Sequence, residues 1–233
     1  MNRSTCVSLQ LLSMDAEIRT YPFAVERRDM IAVQLRRRGL RDERVLAAME
    51  RVPRHEFMAQ QFWNRAYADD PVPIGEGQTV SQPYIVAYML EALEMAPEHR
   101  VLEIGTGTGY QAALLAELAH EVITIERHAA LAEKARHNLE RLGYQNITVI
   151  QGDGTRGWPE AAPYDRIIVA AASPQVPPPL FDQLTEEGRL VIPVGSTEIQ
   201  ELRLVRKRDG QPLTTRLEGC RFVPLIGAEG FSQ

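Results

Sequence analysis

The sequence predicts an α/β fold, a doubly wound, mostly parallel sheet with an N-terminal helical segment, and three observations carry the prediction. Between residues 101 and 195, short apolar runs alternate with helical patterns. Strands separated by helices imply right-handed crossovers and parallel pairing. A glycine-rich turn, GTGTG at 105–109, directly follows the first of those runs, the place where such sheets usually meet their ligands. Finally, 233 residues with 44% apolar and 24% charged content suffice for a full core and match neither a disordered nor a disulfide-rich class.

The elements follow in order. Residues 1–20 read as an N-terminal extension, with Met14 a candidate start; their broken apolar patch lacks a secretory h-region and cleavage site. Cys6 and Cys220 are far apart and have no Cys or His neighbours, so they read as reduced thiols of a cytoplasmic protein without a metal. No apolar run approaches ~18 residues, so no membrane span is expected. The net charge of −5, with Lys134 and Lys207 the only lysines, offers no broad cationic field for nucleic acid.

Residues 21–233 are expected to form one domain: a helical part with a functional loop (21–96), a ligand-binding core (97–195) and C-terminal strands (196–233). AVERRDMIAVQLRRRG places Val25, Met30, Ile31, Val33 and Leu35 at helical spacing, with Gly39 as the stop. Arg36 to Arg38 read as a solvated helix end. DERVLAAMERVP reads as a second helix capped by Asp42 and halted before Pro53. YADDPVPIGEGQTVSQP follows, a loop long enough to suggest function. YIVAYMLEALEM is a buried helix. Then come VLEI, a helix from about Tyr110 to Ala119, EVITIE, a helix from about Ala129 to Leu142, ITVIQ, a loop, DRIIV, a short helix near PLFDQL, and RLVIPV. The tail reads as strands turning at Asp209 and Gly210, with a further strand near Cys220.

The glycine turn decides the ligand class. Gly105, Gly107 and Gly109 are spaced GxGxG, which misses the GxGxxG dinucleotide fingerprint and argues against a nicotinamide-dependent enzyme. Glu103, two residues ahead, would crowd a pyrophosphate but suits an ammonium. Glu126, 21 residues after Gly105, sits where a carboxylate takes two ribose hydroxyls. Asp153 with Gly154, past the third strand, could hold an adenine amine. Singly, Glu126 reads equally as a helix cap and Asp153 as an Asx-turn residue. Together, with Thr106 in the turn, these acceptors describe a ligand with an ammonium, a ribose and an adenine and no phosphates. S-adenosylmethionine fits. The fourth strand ends in AAASP rather than Asn or Asp followed by Pro-Pro-aromatic, which argues against methylation of a nucleobase amine, and no acidic cluster suggests a magnesium-assisted site.

RVPRHEFM (51–58), YADDPVPIGEGQTVSQP (67–83), VLEIGTGTGYQAALLAEL, VITIER, LGYQNITVIQGDGTRGW, APYDRIIVAAA, RLVIPVG and RFVPL occur in order from about Ala24 to Leu225. Together they resemble the protein-L-isoaspartate (D-aspartate) O-methyltransferases, a family with the Rossmann-like fold of S-adenosylmethionine-dependent methyltransferases. The resemblance implies methyl transfer to the free α-carboxyl of L-isoaspartyl residues in damaged proteins, after which the ester closes spontaneously to a succinimide that hydrolyses partly to aspartate. It also implies Ser81 as the catalytic residue, with Gln78, Thr79, Val80 and Ser81 lining the cofactor and Arg127 following the ribose acid. Before Gln82 and Pro83, Ser81 also reads as a helix cap. The histidines lack ligand spacing, and His55 is expected at the surface. An alternative reading keeps the cofactor and changes the acceptor to another carboxyl compound.

Overall fold

The computed structural model describes residues 23–232; the expectations for residues 1–20, Met14 and Cys6 lie outside them. The described residues open with helix α1 (Ala24–Asp29), continued by a π-helical stretch (Met30–Leu35) and a 3-10 turn (Arg36–Arg38) that stops at Gly39, φ 102°. The wider π turn changes which residues face inward. Met30, Ile31 and Leu35 are buried, while Val25 and Val33, expected on the apolar face, are 52% and 46% exposed. Helix α2 (Glu43–Arg51) begins as its sequence predicts: the Asp42 carboxylate accepts from the backbone N–H groups of Arg44 and Val45, at 2.8 and 3.2 Å.

The long loop is not structureless. It carries a small hairpin, β1 (Val72–Gly75) and β2 (Gln78–Val80), before the buried helix α3 (Pro83–Leu93). PIGEGQ supplies the turn, with Gly75, Glu76 and Gly77 all at positive φ, conformations that glycine adopts without strain. Nor is His55 at the surface. It is 2% exposed, packed against Phe23 and Trp63, and its Nδ1 lies 2.8 Å from the Tyr67 hydroxyl. Burial pulls its pKa below the ordinary histidine value. The aromatic residues that surround it come from outside VPRHEF, Phe23 ahead of it and Trp63 and Tyr67 after it, so nothing local in VPRHEF announces this packing.

From Arg100 onward strands and helices alternate: β3 (Arg100–Ile104), α4 (Tyr110–Ala116), β4 (Glu121–Glu126), α5 (Ala129–Arg141), β5 (Ile147–Gln151), β6 (Tyr164–Val169), α6 (Pro178–Asp182) and β7 (Leu184–Gly195). The seven-stranded sheet has the order β5-β4-β3-β6-β7-β8-β9. Its first five strands are parallel; β8 (Gln200–Arg208) and β9 (Gln211–Cys220) extend it antiparallel through the turn at Asp209 and Gly210. The separate strand expected near Cys220 is absorbed into β9, which pairs continuously enough with β8 to reach Cys220 opposite Gln200. Apolar cores cover both faces. One joins α2, α3 and α4 to the sheet through residues such as Leu46, Met89, Leu90 and Leu114; the other gathers Leu102, Ile125, Ile167, Leu180 and Leu190. β3 is flanked by β4 on one side and β6 on the other, so the chain leaves it in opposite directions and opens a crevice at the strand ends. No helix among the described residues is long and apolar enough to cross a membrane.

Candidate active site

The crevice is a pocket of about 950 Å³, part of which is open to solvent, lined by the hairpin, the glycine turn, the end of β4 and the C-terminal segment. Of the residues singled out from sequence, it gathers Gln78, Thr79, Val80, Ser81, Gly105, Thr106, Gly107, Glu126, Arg127 and Gly154. Strand β3 delivers the glycine turn, and the Gly105 N–H extends the parallel ladder by donating to the Ile125 carbonyl at 2.8 Å. At Gly107, φ is 57° and a Cβ would approach the Ile74 side chain of the hairpin at 3.1 Å, so only glycine lets β1 lie over the turn without strain. At Gly154 a Cβ would meet Ile104 at 2.5 Å, closer than packed atoms tolerate. That contact brings the end of β5 against the end of β3.

Glu126 is 5% exposed. Its Oε2 accepts from the Gly107 N–H and its Oε1 from the His128 N–H, both at 2.9 Å. The carboxylate therefore fixes the residue ahead of α5 without capping the helix, whose first N–H groups receive no side-chain cap, while each oxygen keeps a further lone pair for a ligand hydroxyl. Glu103 lies deeper, fully buried beneath the turn. Its Oε2 accepts from the Thr124 hydroxyl at 2.6 Å, and Thr124 in turn meets the Thr106 hydroxyl. Its Oε1 has no donor among the described residues. Burial pushes the Glu103 carboxyl up to about 8, helped by the charge of Glu126 and opposed by Thr124 and Gln111. A buried acid with a spare oxygen under a turn is poorly matched to an anion and well matched to a cationic group above it.

Asp153 sits beside the main cavity, in an adjoining depression with Arg127, Ile226 and Phe231. Its Oδ1 accepts from the Thr155 N–H and hydroxyl, at 2.9 and 2.7 Å, and its Oδ2 from the Ala228 N–H at 2.9 Å. The Asx-turn geometry is thus present, and the side chain ties the C-terminal segment to the end of β5. Burial works against its charge, yet these donors and Arg156 hold the carboxyl below its ordinary range. Residues that the sequence did not single out also line the cavity: Ile74, Tyr110, Gln111, Ala170 and the run Val223 to Ile226. RFVPL carried the resemblance but no chemistry; the isolated bridge between Ala172 and Pro224, with the hydrogen bonds between Gln200 and Phe222, brings it over the strand ends.

Ser81 lies at a junction. A second cavity of about 640 Å³ shares Thr79, Ser81, Ala170 and Val223 with the first and is walled by Arg38, Tyr84, Glu218 and Arg221. The Ser81 hydroxyl has no hydrogen bond among the described residues, and it does not cap α3. The open N–H of Tyr84 is taken instead by Asp69 Oδ1 at 3.0 Å, while Gln82 Nε2 donates to the Asp69 carbonyl at 2.8 Å. With its cap supplied from the loop, the helix leaves the serine hydroxyl available between the two cavities. Among the described residues no cluster of three or more His, Cys, Asp or Glu side chains forms a metal site.

The family model for protein-L-isoaspartate(D-aspartate) O-methyltransferases matches residues 26–230. The chain is 61% identical to a protein-L-isoaspartate O-methyltransferase of Koribacter versatilis over 210 residues, 90% of this chain and 95% of the relative. A solved protein-L-isoaspartate O-methyltransferase superimposes with a TM-score of 0.80 at 32% identity, covering 88% of this chain and 67% of that one. A Plasmodium falciparum protein described by the same activity, solved with S-adenosyl-L-homocysteine, gives a TM-score of 0.75 at 27% identity over 86% of this chain and 98% of its own.

Proposed function

The chain belongs to the protein-L-isoaspartate O-methyltransferase family, and from that membership we propose how its own residues divide the work. The reaction is transfer of a methyl group from S-adenosylmethionine to the free α-carboxyl of L-isoaspartyl residues in damaged proteins and peptides. Bound in the larger cavity, the cofactor supplies an electrophilic methyl carbon on a sulfonium. The cavity suits it on chemical grounds. Its polar lining is mostly neutral hydroxyls and amides with the single carboxylate of Glu126, the Gly107 N–H is already committed to that carboxylate, and Glu103 waits below with an unused oxygen.

Glu126 holds the ribose hydroxyls, Glu103 favours the ammonium end through the turn, and Gln78, Thr79 and Val80 close the cavity from the hairpin side. Gly154 and Arg127 border the adenine end, whose outer wall Asp153 braces by gripping the C-terminal segment. The second cavity receives the acceptor chain. An α-carboxyl ionises near ~3.5, so at neutral pH it is already a nucleophile and no general base is needed. What remains is alignment, which can supply about 7 to 11 kcal/mol. Ser81 donates its hydroxyl hydrogen to one carboxylate oxygen and leaves the other directed toward the methyl carbon.

The observation that carries this division is the uncommitted Ser81 hydroxyl at the boundary of the two cavities. Matched peptides that differ only in Asp or isoAsp, incubated with methyl-labelled cofactor, test it. Label should enter the isoAsp peptide alone; equal labelling of both, or preference for a small carboxylic acid, would move the acceptor assignment elsewhere.

A further inference from the structure

Arg54 is fully buried, and none of its hydrogen-bond partners is a carboxylate. Its Nε donates to the Ala66 carbonyl and its Nη2 to the Ser81 carbonyl, each at 2.7 Å. The guanidinium lies over the Tyr110 ring, 4.8 Å from its centre. A cation taken out of water with no carboxylate in hydrogen-bond contact is costly, and burial pulls this guanidinium below the usual arginine range against the opposing pull of Tyr110, Tyr67 and the more distant Asp69. An apolar side chain would fill the same space at lower cost, so packing does not account for an arginine here.

Its contacts do. Ala66 and Ser81 bracket the loop that contains the hairpin, and Tyr110 opens the helix that follows the glycine turn and lines the larger cavity. One planar fork therefore touches the start of the acceptor loop, the backbone of the serine at its end, and the first helical residue beyond the cofactor turn. We propose that Arg54 is a positioning residue for methyl transfer: it fixes Ser81 relative to the glycine turn by clamping both ends of the acceptor loop. The inference rests on the role given to Ser81 above. A lysine cannot replace the fork, because a single ammonium on a flexible stem does not present two donors in fixed directions.

The test uses the full chain with Arg54→Met, which removes the buried charge at similar volume, and Arg54→Lys, which keeps it. Single-turnover methyl transfer to an isoAsp peptide and calorimetric affinity for S-adenosylhomocysteine are measured for each. Transfer is expected to fall roughly 100-fold in both variants, with affinity within about threefold of the unmodified protein. On a Ser81→Ala background, Arg54→Met should change the rate by less than about threefold, since two residues acting through one contact are not additive. Wild-type transfer in Arg54→Lys, or the same full loss in both backgrounds, overturns the proposal. If Ser81→Ala itself transfers normally, the role of Ser81 falls and this inference with it; if only the Arg54 variants are unaffected, Ser81 stands and Arg54 does not. Should the methionine variant fail to fold, the lysine variant carries the same measurements.

Discussion

The cofactor half and the acceptor half of this site are built by different means. On the cofactor side, the glycine turn, Glu126 and Gly154 sit at the ends of consecutive strands β3, β4 and β5, so backbone hydrogen bonds fix their relative positions. On the acceptor side no strand of the large sheet holds Ser81. Its loop is braced by side chains from a distance: Gln34 donates to the Tyr67 carbonyl, Arg38 pairs with Asp69, and Arg54 holds Ala66 and Ser81. Strand ends make a site whose geometry survives the loss of one side chain, because the ladder remains, so such a loss is felt in binding. A side-chain brace concentrates alignment in few contacts, so loss of one is felt in the chemistry rather than in binding.

Four measurements break or sharpen this contrast, from the largest effect downward. Ser81→Ala should lower methyl transfer to an isoAsp peptide roughly 100-fold while calorimetry records an unchanged affinity for S-adenosylhomocysteine. A matching loss in affinity would show that the two halves are not separable. Glu126→Ala should do the reverse, weakening that affinity about 10- to 100-fold, the scale of hydrogen bonds to a charged group, with turnover at saturating cofactor nearly intact. Wild-type affinity would remove Glu126 from the ribose.

The third concerns pH. The folded-state pKa of Glu103, about 8, lies above the ordinary carboxyl value, so its neutral form stabilises the ligand-free fold fully below pH ~4.5 and that contribution is lost as pH rises through 8. The slope from this one proton is at most about 1.4 kcal/mol per pH unit. Denaturant melts of the ligand-free protein from pH 5 to 9 should flatten when Glu103 is replaced by Gln; an identical pH profile would mean the carboxyl is already ionised. Smallest is Asp42→Ala, which removes a helix cap remote from both halves and should cost about 1 kcal/mol without altering methyl transfer. A change in transfer rate would reveal that α2 supports the acceptor loop.

The same contrast explains what could be read in advance. Apolar periodicity and glycine spacing located every strand from β3 to β7 and the acids at their ends, because those signals are local in sequence. The hairpin inside the long loop was hidden by its Pro and Gly content, and the π-helical stretch turned Val33 outward against a 3.6-residue expectation. His55 in VPRHEF reads as a surface residue, and nothing there singles out Arg54; both are buried. Their burial depends on Phe23, Trp63, Tyr67 and Tyr110 arriving from elsewhere, which no single stretch encodes. The C-terminal run from Val223 to Ile226 escaped for a related reason: it is apolar and short, and tertiary pairing with the ends of the strands is what brings it to the wall of the cavity.

The bond from the Gly107 amide to Glu126 has one more consequence. Related folds use amides in this turn to receive a pyrophosphate, and here the protein has filled that seat with an anion of its own. Adenine nucleotides share half their shape with the methyl donor and abound in any cell, but their negative charges would have to displace a carboxylate that is anchored at both oxygens. Like charges brought together at that turn repel, so the resting protein already disfavours a phosphate there.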